Sequence, residues 1–469
     1  MTTRRNYFII RGPVPPNLFF DRREEVEFLK RQLEMESYGL LVSIIAPFRF
    51  GKTSLLRKYI SILEKYETVI PVYFPSKLRD DPLGLIKIKL SEKIPEANNI
   101  LVDDRNNIAK FFRRVNKLLE KHNLWVILVI DEFQNIPRVF RVHGYVSKWS
   151  DEDIFDFFRG VTEEYQFGLI VSGSYIGRLL NAISIWNGRF IEMRLGSFPR
   201  GDSIVMLRTL FEKSGLKVDD EIAEYIAMSA GDHPYYMQLF GYKLVDLGKI
   251  NEETLEIARE FVMNNILGIF RKKYREIKKH GKKYIDVLTR ISRGATSISY
   301  YSEDEWEILW DLEKIGVVYD YKTRVEIPDK LFERFIINVA SNRRTEGILP
   351  EYTTEYIVAK DLAYREGFKE ILISYRSWGP FDIVIMRKLG QHKGIGIQVK
   401  STTSDNVKIY KTELERIIKG SRELELMPII AVLFTTKNEL KYFIADENKT
   451  IYHVNEGARR LGELINHYI

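Results

Sequence analysis

Cysteine is absent from the 469-residue sequence, and no stretch of about 18 residues is apolar and uncharged. The first absence excludes disulfides, thiol catalysis and cysteine-ligated zinc, and it fits a reducing cytoplasm. The second predicts that no segment spans a membrane. The first residues also lack the apolar core of a signal peptide, since Arg11 interrupts the run. We therefore expect a cytoplasmic protein, and the 29% of charged residues also fits a thermophile.

The excess of positive charge is mild, with a net charge of +7. Such a balance is compatible with nucleic-acid binding without requiring it. The cations are most concentrated in RKKYREIKKHGKK, residues 271–283. This run is either a solvated helix face or a surface that binds phosphates.

The order of apolar segments predicts several domains, since 469 residues exceed a single core. Runs such as YGLLVSIIA and NLWVILVIDEF alternate with amphipathic helices, which predicts a parallel sheet with helices on both faces. Helices dominate after residue 200, and a helix–helix–strand–strand pattern typical of a winged helix follows. We predict an α/β protein with four domains: a P-loop core (1–200), a helical lid (201–270), a winged helix (271–340) and a C-terminal α/β domain (345–469).

The segment APFRFGKT, residues 46–53, lies between a predicted strand and a predicted helix. It matches the Walker A pattern G-x-x-x-x-G-K-[ST] except at Ala46, which should be tolerated if its φ is negative. Backbone N–H groups at the helix start should bind phosphate, Lys52 should reach the β- and γ-phosphates, and Thr53 should ligate Mg²⁺. The predicted nucleotide-binding residues are Ala46, Pro47, Arg49, Phe50, Gly51, Lys52, Thr53 and Ser54.

Two carboxylates end the buried strand WVILVIDEF. Asp131 should hold Mg²⁺ through water, and Glu132 should act as general base toward the attacking water. A buried acid pair is costly unless positive groups compensate it. Because a protein that binds nucleotide without hydrolysing it has no need of Glu132, the sequence favours hydrolysis.

Polar side chains also end the strand GLIVSGS, where Ser172 or Ser174 could contact the γ-phosphate or the water. We assign this sensor role to Ser172, although serines are also ordinary at strand ends. Arg189 is either a finger that completes the site of a neighbouring subunit or part of a surface ion pair. No N-K-x-D motif for reading guanine is present.

These motifs resemble the archaeal ATPase family within the STAND branch of AAA+ proteins. The resemblance rests on FFDRREEVEFL, APFRFGKTSLL, LVIDEFQNI, LIVSGS and GDHPYYMQL, within about residues 15–340. It implies ATP as ligand, a winged helix after the lid, and possible homo-oligomers. The family usually has a Phe-x-Gly-Arg-Glu box near the adenine. In this sequence Arg22 matches the arginine of that box, and Asp21 replaces its glycine. GDHP, ending at Pro234, is similar to a Gly-x-Pro motif that senses nucleotide state, with one extra residue.

The C-terminal segments GPFDIVI and GIGIQVKS resemble PD-(D/E)xK nucleases such as archaeal Holliday-junction resolvases, over about residues 350–445. Asp382 and Lys400 match the motif, Gln398 replaces its middle acid, and Glu355 matches the helix acid, with Glu351 as the alternative. The resemblance implies Mg²⁺, or Mn²⁺, held by Asp382, Gln398 and Glu355, with Lys400 acting on the water or the phosphate. Since an amide adds no charge, metal affinity should be weak. Alternatively, Asp382 and Lys400 are merely an ion pair.

The leading hypothesis is an ATPase coupled to a metal-dependent nuclease-like module that acts on DNA. The alternative is an ATP-driven regulatory switch whose C-terminal module binds DNA or protein without cleaving it. Trp306 and Trp310, four residues apart, are interpreted as core residues rather than as base-stacking residues. His233 and the other histidines show no metal-ligand spacing, so no zinc site is assigned.

Overall fold

The computed structural model describes most of the chain, in two compact units. The first unit contains residues 1–284 and 297–330, and the second contains residues 285–296 and 331–469. Asp21, Glu351 and the other residues from 341 to 353 lie outside the described residues. The described residues are 5–20, 22–35, 39–75, 80–100, 108–174, 176–292, 294–340, 354–355, 357–359, 361–366, 368, 371–373, 380–385, 389–437 and 439–466.

A five-stranded parallel sheet forms the centre of the first unit, which confirms the predicted sheet type. In spatial order the strands are β2, β3, β4, β1 and β5. The carboxyl ends of β3, β4 and β1 are therefore neighbours at one edge. Their bounds are β1 Leu41–Ile45, β2 Val69–Phe74, β3 Trp125–Ile130, β4 Phe167–Gly173 and β5 Ile191–Arg194.

Helices cover both faces of this sheet. One face packs on the first two helices through residues such as Leu29, Leu55 and Tyr59, and the other packs on helices that carry Phe112 and Phe158. The two apolar layers explain why the strand sequences are apolar without alternation. The helices are α1 Arg23–Met35, α2 Lys52–Leu63, α3 Pro82–Lys93, α4 Ile108–His122, α5 Ile136–Val142, α6 Asp151–Glu164 and α7 Ile176–Ser184.

Four further helices follow the sheet, at the place of the predicted lid. They are α8 Arg200–Lys213, α9 Asp220–Ser229, α10 Pro234–Leu247 and α11 Glu252–Lys279. The elements that follow have the order predicted for a winged helix, and β6 and β7 pair antiparallel. They are α12 Lys282–Ser292, α13 Glu303–Lys314, β6 Tyr319–Asp320, β7 Val325–Glu326 and α14 Lys330–Ala340.

Within the first unit, residues 297–330 pack against the sheet domain. The hydroxyl of fully buried Tyr319 donates to the carbonyl of Leu195, 2.8 Å away. Glu313 of α13 forms an ion pair with Arg194 of β5. A Cβ at Gly177 of α7 would lie 2.7 Å from the Cβ of Lys314, so only glycine permits this approach of the two helices.

The predicted burial of Trp306 and Trp310 is wrong. Their exposed fractions are 50% and 44%, whereas Ile308, Leu309 and Leu312 form the buried face of α13. Spacing of four residues shows that two side chains share a helix face, but it does not tell which face is buried. Among the described residues, no helix is long and apolar enough to cross a membrane.

The second unit contains a mixed five-stranded sheet in the order β13, β12, β10, β9, β8. Strands β10 and β12 are parallel and the other pairs are antiparallel. Strands β11 and β14 form a separate two-stranded ladder, which the sequence did not predict. The elements are β8 Ile371–Ile373, β9 Ile383–Ile385, β10 Gly394–Thr402, β11 Asn406–Lys408, α15 Lys411–Leu424, β12 Leu426–Phe434, β13 Glu439–Ile444, β14 Ile451–His453 and α16 Leu461–Asn466.

Candidate functional site

The loop between β1 and α2 has the backbone of a phosphate-binding loop. Arg49 and Gly51 adopt left-handed φ values of 71° and 91°. Ala46 is not among the described residues with positive φ, so it meets the condition under which we expect alanine to be tolerated there. Because α2 begins at Lys52, the free N–H groups of its first turn face the loop.

Lys52 is buried beneath this loop. Its Nζ donates to the carbonyl oxygens of Ala46 (2.7 Å) and Pro47 (2.8 Å). Burial lowers the pKa of Lys52 to about 8, although the charges of Glu132 and Asp131 oppose this shift. The ammonium group is therefore held by two carbonyls that a phosphate could replace as partners.

Asp131 follows β3 and faces the start of α2. Its two oxygens accept hydrogen bonds from the hydroxyls of Thr53 (2.8 Å) and Ser172 (2.7 Å). The Thr53 hydroxyl and the Asp131 carboxylate are oxygen ligands of the kind that Mg²⁺ prefers, so these residues fit the ion. Ser172 is fully buried, where it orients Asp131.

Glu132 adopts a left-handed backbone conformation, with φ 59° and ψ 57°. Its Oε1 accepts from the Ser174 hydroxyl (2.5 Å), and its Oε2 accepts from the Ser174 backbone N–H (3.0 Å) and from Gln134 Nε2 (2.5 Å). A Cβ at Gly173 would lie 2.6 Å from the Gln134 side-chain oxygen, so glycine makes room for this contact. Gln134 could not be predicted from the sequence, since its spacing from Glu132 carries no signal by itself.

These side chains meet at one cavity of about 310 Å³. Lys52, Thr53, Asp131, Glu132 and Ser174 line one part of it. Its volume lies within the range of small-molecule sites. Further lining residues were not predicted from the sequence, and they include Ile9, Ile10, Pro13, Val14, Tyr235 and Gln238.

The N-terminal segment, residues 5–20, forms hydrogen bonds with both α10 and α2. The N–H of Ile9 donates to Gln238 of α10 (2.7 Å), and the N–H of Val14 donates to the Ser54 hydroxyl of α2 (3.0 Å). Ser54, which we predicted to contact nucleotide, therefore anchors this segment in the structure.

Arg22 lines the cavity and is buried. Its Nη2 donates to the carbonyl of Gly196 (2.6 Å) and to that of Phe50 (3.3 Å), and the guanidinium lies 4.8 Å from the ring centre of Phe198. In this structure Arg22 thus ties the phosphate-binding loop to the segment after β5.

The GDHP motif, whose resemblance predicts that it senses nucleotide state, lies at the start of α10, and its Pro234 lines the cavity. His233 accepts from the N–H of Tyr235, stacks on Tyr236 at 3.9 Å and contacts the ring of Phe50. Complete burial lowers the pKa of His233 to about 4, so the imidazole is neutral at pH 7. The Tyr236 hydroxyl in turn donates a hydrogen bond to the Asp329 carboxylate, 2.7 Å away.

Arg189 forms an ion pair with Glu163 of α6 while remaining exposed. This contact matches the predicted role of Arg189 as part of a surface ion pair. The finger role toward a neighbouring subunit stays a prediction.

The second unit brings Asp382 and Gln398, two of the predicted C-terminal residues, together. Oδ2 of Asp382 accepts from the Gln398 amide and from the N–H of Val399 (2.7 Å). Lys400 forms an ion pair with Glu413 of α15 at 2.7 Å. Glu355 is buried. Within the part of the chain that the structure describes, no three His, Cys, Asp or Glu side chains are close enough to hold a metal ion.

Residues 19–240 match a family model described as an ATPase domain predominantly from Archaea. The match supports an archaeal-type ATPase domain in this segment. It spans just under half of the chain and includes β1 to β5, the phosphate-binding loop and the start of α10. Comparison with curated proteins gives no significant match.

Three solved structures are similar to the chain over more than two thirds of its length. The Walker-type ATPase of Pyrococcus abyssi is 18% identical, with a TM-score of 0.49, and the match covers 70% of this chain and 99% of that one. The ORC2 protein of Aeropyrum pernix, in ADPNP–ADP complexes, is 15% identical, with a TM-score of 0.42 and coverages of 73% and 97%. The ORC1 protein of Aeropyrum pernix in complex with DNA is 16% identical, with a TM-score of 0.38 and coverages of 72% and 97%.

The lowered pKa of Lys52 predicts a pH limit on nucleotide binding by the ATPase domain. Phosphates bind the charged ammonium, and Lys52 is increasingly neutral above pH 8 in the free protein. The affinity for ADP should therefore fall by up to about tenfold per pH unit above pH 8, since binding must take up a proton. Titrations between pH 7 and 9.5 measure this dependence. A Lys52→Met protein should bind more weakly but with no such dependence, and a flat profile for the wild type would contradict the role of Lys52.

Proposed function

We propose that the ATPase domain binds Mg²⁺–ATP in the 310 Å³ cavity and hydrolyses it. The observation that carries this proposal is that the buried Lys52, the Thr53–Asp131 pair and Glu132 all line one cavity. Lys52 would bind the β- and γ-phosphates in place of the two loop carbonyls. Thr53 and Asp131 would hold Mg²⁺, which when bound neutralises developing charge on the phosphates.

Glu132 is the residue that would remove the proton from the attacking water. Both of its oxygens already accept hydrogen bonds from Ser174 or Gln134. Ser174 and Gln134 fix the direction of the carboxylate, and Oε1, which accepts from the Ser174 hydroxyl, has a second lone pair that can accept from the water. Ser172 acts on Asp131 rather than on the cavity, and its role as sensor of the γ-phosphate remains a prediction.

DNA is the partner that we propose for this ATPase. The exposed cations of the basic run support it, since a helical run of cations can bind the phosphate backbone. Lys273 differs from the others, because its Nζ donates to the carbonyl of Gly316 at 2.9 Å and supports the fold. The exposed cations are Arg271, Lys272, Arg275, Lys278, Lys279, Lys282 and Lys283.

Removing four of these cations should weaken DNA binding in a salt-dependent manner. We expect the slope of log K against log salt concentration to become shallower by up to about 0.9 for each lost phosphate contact. Fluorescence anisotropy with labelled duplex DNA, from 50 to 300 mM salt, measures this slope. The variant replaces Lys278, Lys279, Lys282 and Lys283 with alanine.

A matched control removes the same charge from exposed positions elsewhere. It replaces Lys65, Lys148, Lys213 and Lys217 with alanine. Equal loss of affinity in both variants would show that net charge, and not the basic run, attracts DNA.

For the C-terminal module, we propose action on the same DNA, as a metal-dependent nuclease. One observation favours the second candidate, a switch whose module binds without cleaving. Asp382 accepts hydrogen bonds from Gln398 and Val399, and Lys400 is paired with Glu413, so these groups are engaged with one another.

A cleavage assay separates the two candidates. Linear, nicked and four-way-junction DNA are incubated with protein, Mg²⁺ or Mn²⁺, and with or without ATP. Cleavage that requires metal and is lost in Asp382→Ala establishes the nuclease, and a Gln398→Glu protein should then cleave at lower metal concentration because it adds a charged ligand. DNA binding without cleavage of any substrate supports the switch.

A further inference from the structure

Arg49 has a backbone conformation that is rare for its residue type. Its φ is 71°, in the left-handed region that disfavours residues with a Cβ. Such strain persists when surrounding contacts determine the conformation, and it is found mainly at functional sites. The contacts of this one side chain are therefore informative.

The Arg49 guanidinium contacts two other walls of the nucleotide cavity. Its Cζ lies 4.0 Å from the ring centre of Tyr235, the second residue of lid helix α10. Its Nη1 lies 3.4 Å from the carbonyl oxygen of Ile10 in the N-terminal segment. All three residues line the cavity.

The N-terminal segment and the lid are themselves joined by several contacts. Asn6 donates to the carbonyl of Tyr242 (3.0 Å), and Ile9 donates to Gln238 (2.7 Å). Phe8 lies so close to Gly241 that a Cβ there would be 2.0 Å from its ring. Arg49 thus connects the phosphate-binding loop to the lid and to the N-terminal segment, which also contact each other.

We propose that the contact of Arg49 with Tyr235 holds the lid helix against the phosphate-binding loop and slows the release of nucleotide. This inference rests on the proposed binding of nucleotide in the cavity. The guanidinium is exposed to solvent, so the contact can open without burying or uncovering a charge. Release then requires the loop and the start of α10 to separate.

A different role for Arg49, direct contact with the phosphates, predicts a different result. If Arg49 bound phosphate, removal of the Tyr235 ring would leave its charge in place and would not speed release. If the contact with the lid slows release, removal of either partner has the same effect. Tyr235 variants therefore separate the two roles.

The test measures dissociation of a fluorescent ADP analogue in a stopped-flow instrument. Arg49→Gly, which also suits the left-handed backbone, and Tyr235→Leu should each raise the dissociation rate by about 2- to 5-fold, the amount expected for an exposed cation–π contact. The double variant should be no faster than either single variant. Arg208→Ala, at an exposed position of α8, should release ADP at close to the wild-type rate.

Unchanged release from Tyr235→Leu, or additive effects in the double variant, would overturn the inference while leaving nucleotide binding intact. Failure of the wild-type protein to bind the analogue would instead remove the proposed function itself. The two failures are distinguishable, because the first concerns rates and the second concerns binding by the wild type.

Discussion

The Glu132→Gln protein should hydrolyse ATP about 10²- to 10⁴-fold more slowly than the wild type, while its affinity for ATP is largely kept. Glutamine has nearly the same shape as glutamate and can still accept from Ser174, but its amide cannot take the proton from water. Lys52, Thr53 and Asp131, which we propose as the phosphate and metal ligands, are unchanged. Phosphate release under saturating ATP measures the rate, and equilibrium titration measures the affinity.

Glu164→Gln is a suitable control for this substitution. Glu164 is an exposed acid at the end of α6, and its replacement makes the same change in charge. Turnover by Glu132→Gln at the rate of this control would show that Glu132 is not the general base.

Arg194→Ala should destabilise the first unit by about 3–5 kcal/mol, the usual cost of leaving one partner of a buried ion pair without the other. The side chains of Glu313 and Arg194 are 2% and 13% exposed. Burial raises the pKa of Glu313, and Arg194 opposes this shift. Chemical denaturation of the wild type and the variant at pH 7 measures the difference in the free energy of unfolding.

The same substitution has a predicted pH dependence. The pKa of Glu313 is higher in the folded protein than in the unfolded chain. Between these two pKa values the folded protein holds a proton on Glu313 that the unfolded chain has lost. The free energy of unfolding therefore declines as the pH rises through this range. Loss of Arg194 raises this pKa further. The defect of Arg194→Ala should therefore be largest at neutral pH and should shrink as the pH falls toward the folded-state pKa of Glu313.

A second variant tests the cause of the defect. Arg194→Ala combined with Glu313→Leu removes the buried charge and should recover much of the lost stability. A defect in Arg194→Ala that is independent of pH, or that Glu313→Leu does not relieve, would mean that the packing of Arg194 matters rather than the ion pair.

Local motifs explain what the sequence could predict. The parallel sheet, the loop at Lys52 and the acids after β3 are each encoded within about ten residues, where strand, turn and helix signals lie side by side. The order of strands then brings the ends of β1, β3 and β4 together. This is why Thr53 and Asp131, 78 positions apart, could be assigned to one site.

Contacts between distant segments explain what the sequence could not predict. The N-terminal wall of the cavity has no regular secondary structure, so no periodicity marks residues such as Ile9 and Val14. The pairing of Arg194 with Glu313 joins residues 119 positions apart, and neither lies in a motif. Trp306 and Trp310 were misassigned because helix spacing does not identify the buried face.

The central claim is that this chain hydrolyses ATP at the site of Lys52 and Glu132. The most direct test is phosphate release from ATP and Mg²⁺ by the purified full-length chain, with Lys52→Met assayed alongside. We expect turnover by the wild type that depends on Mg²⁺ and is abolished in Lys52→Met. Equal turnover by the two proteins, or no turnover by a wild-type protein that binds ATP, would contradict it.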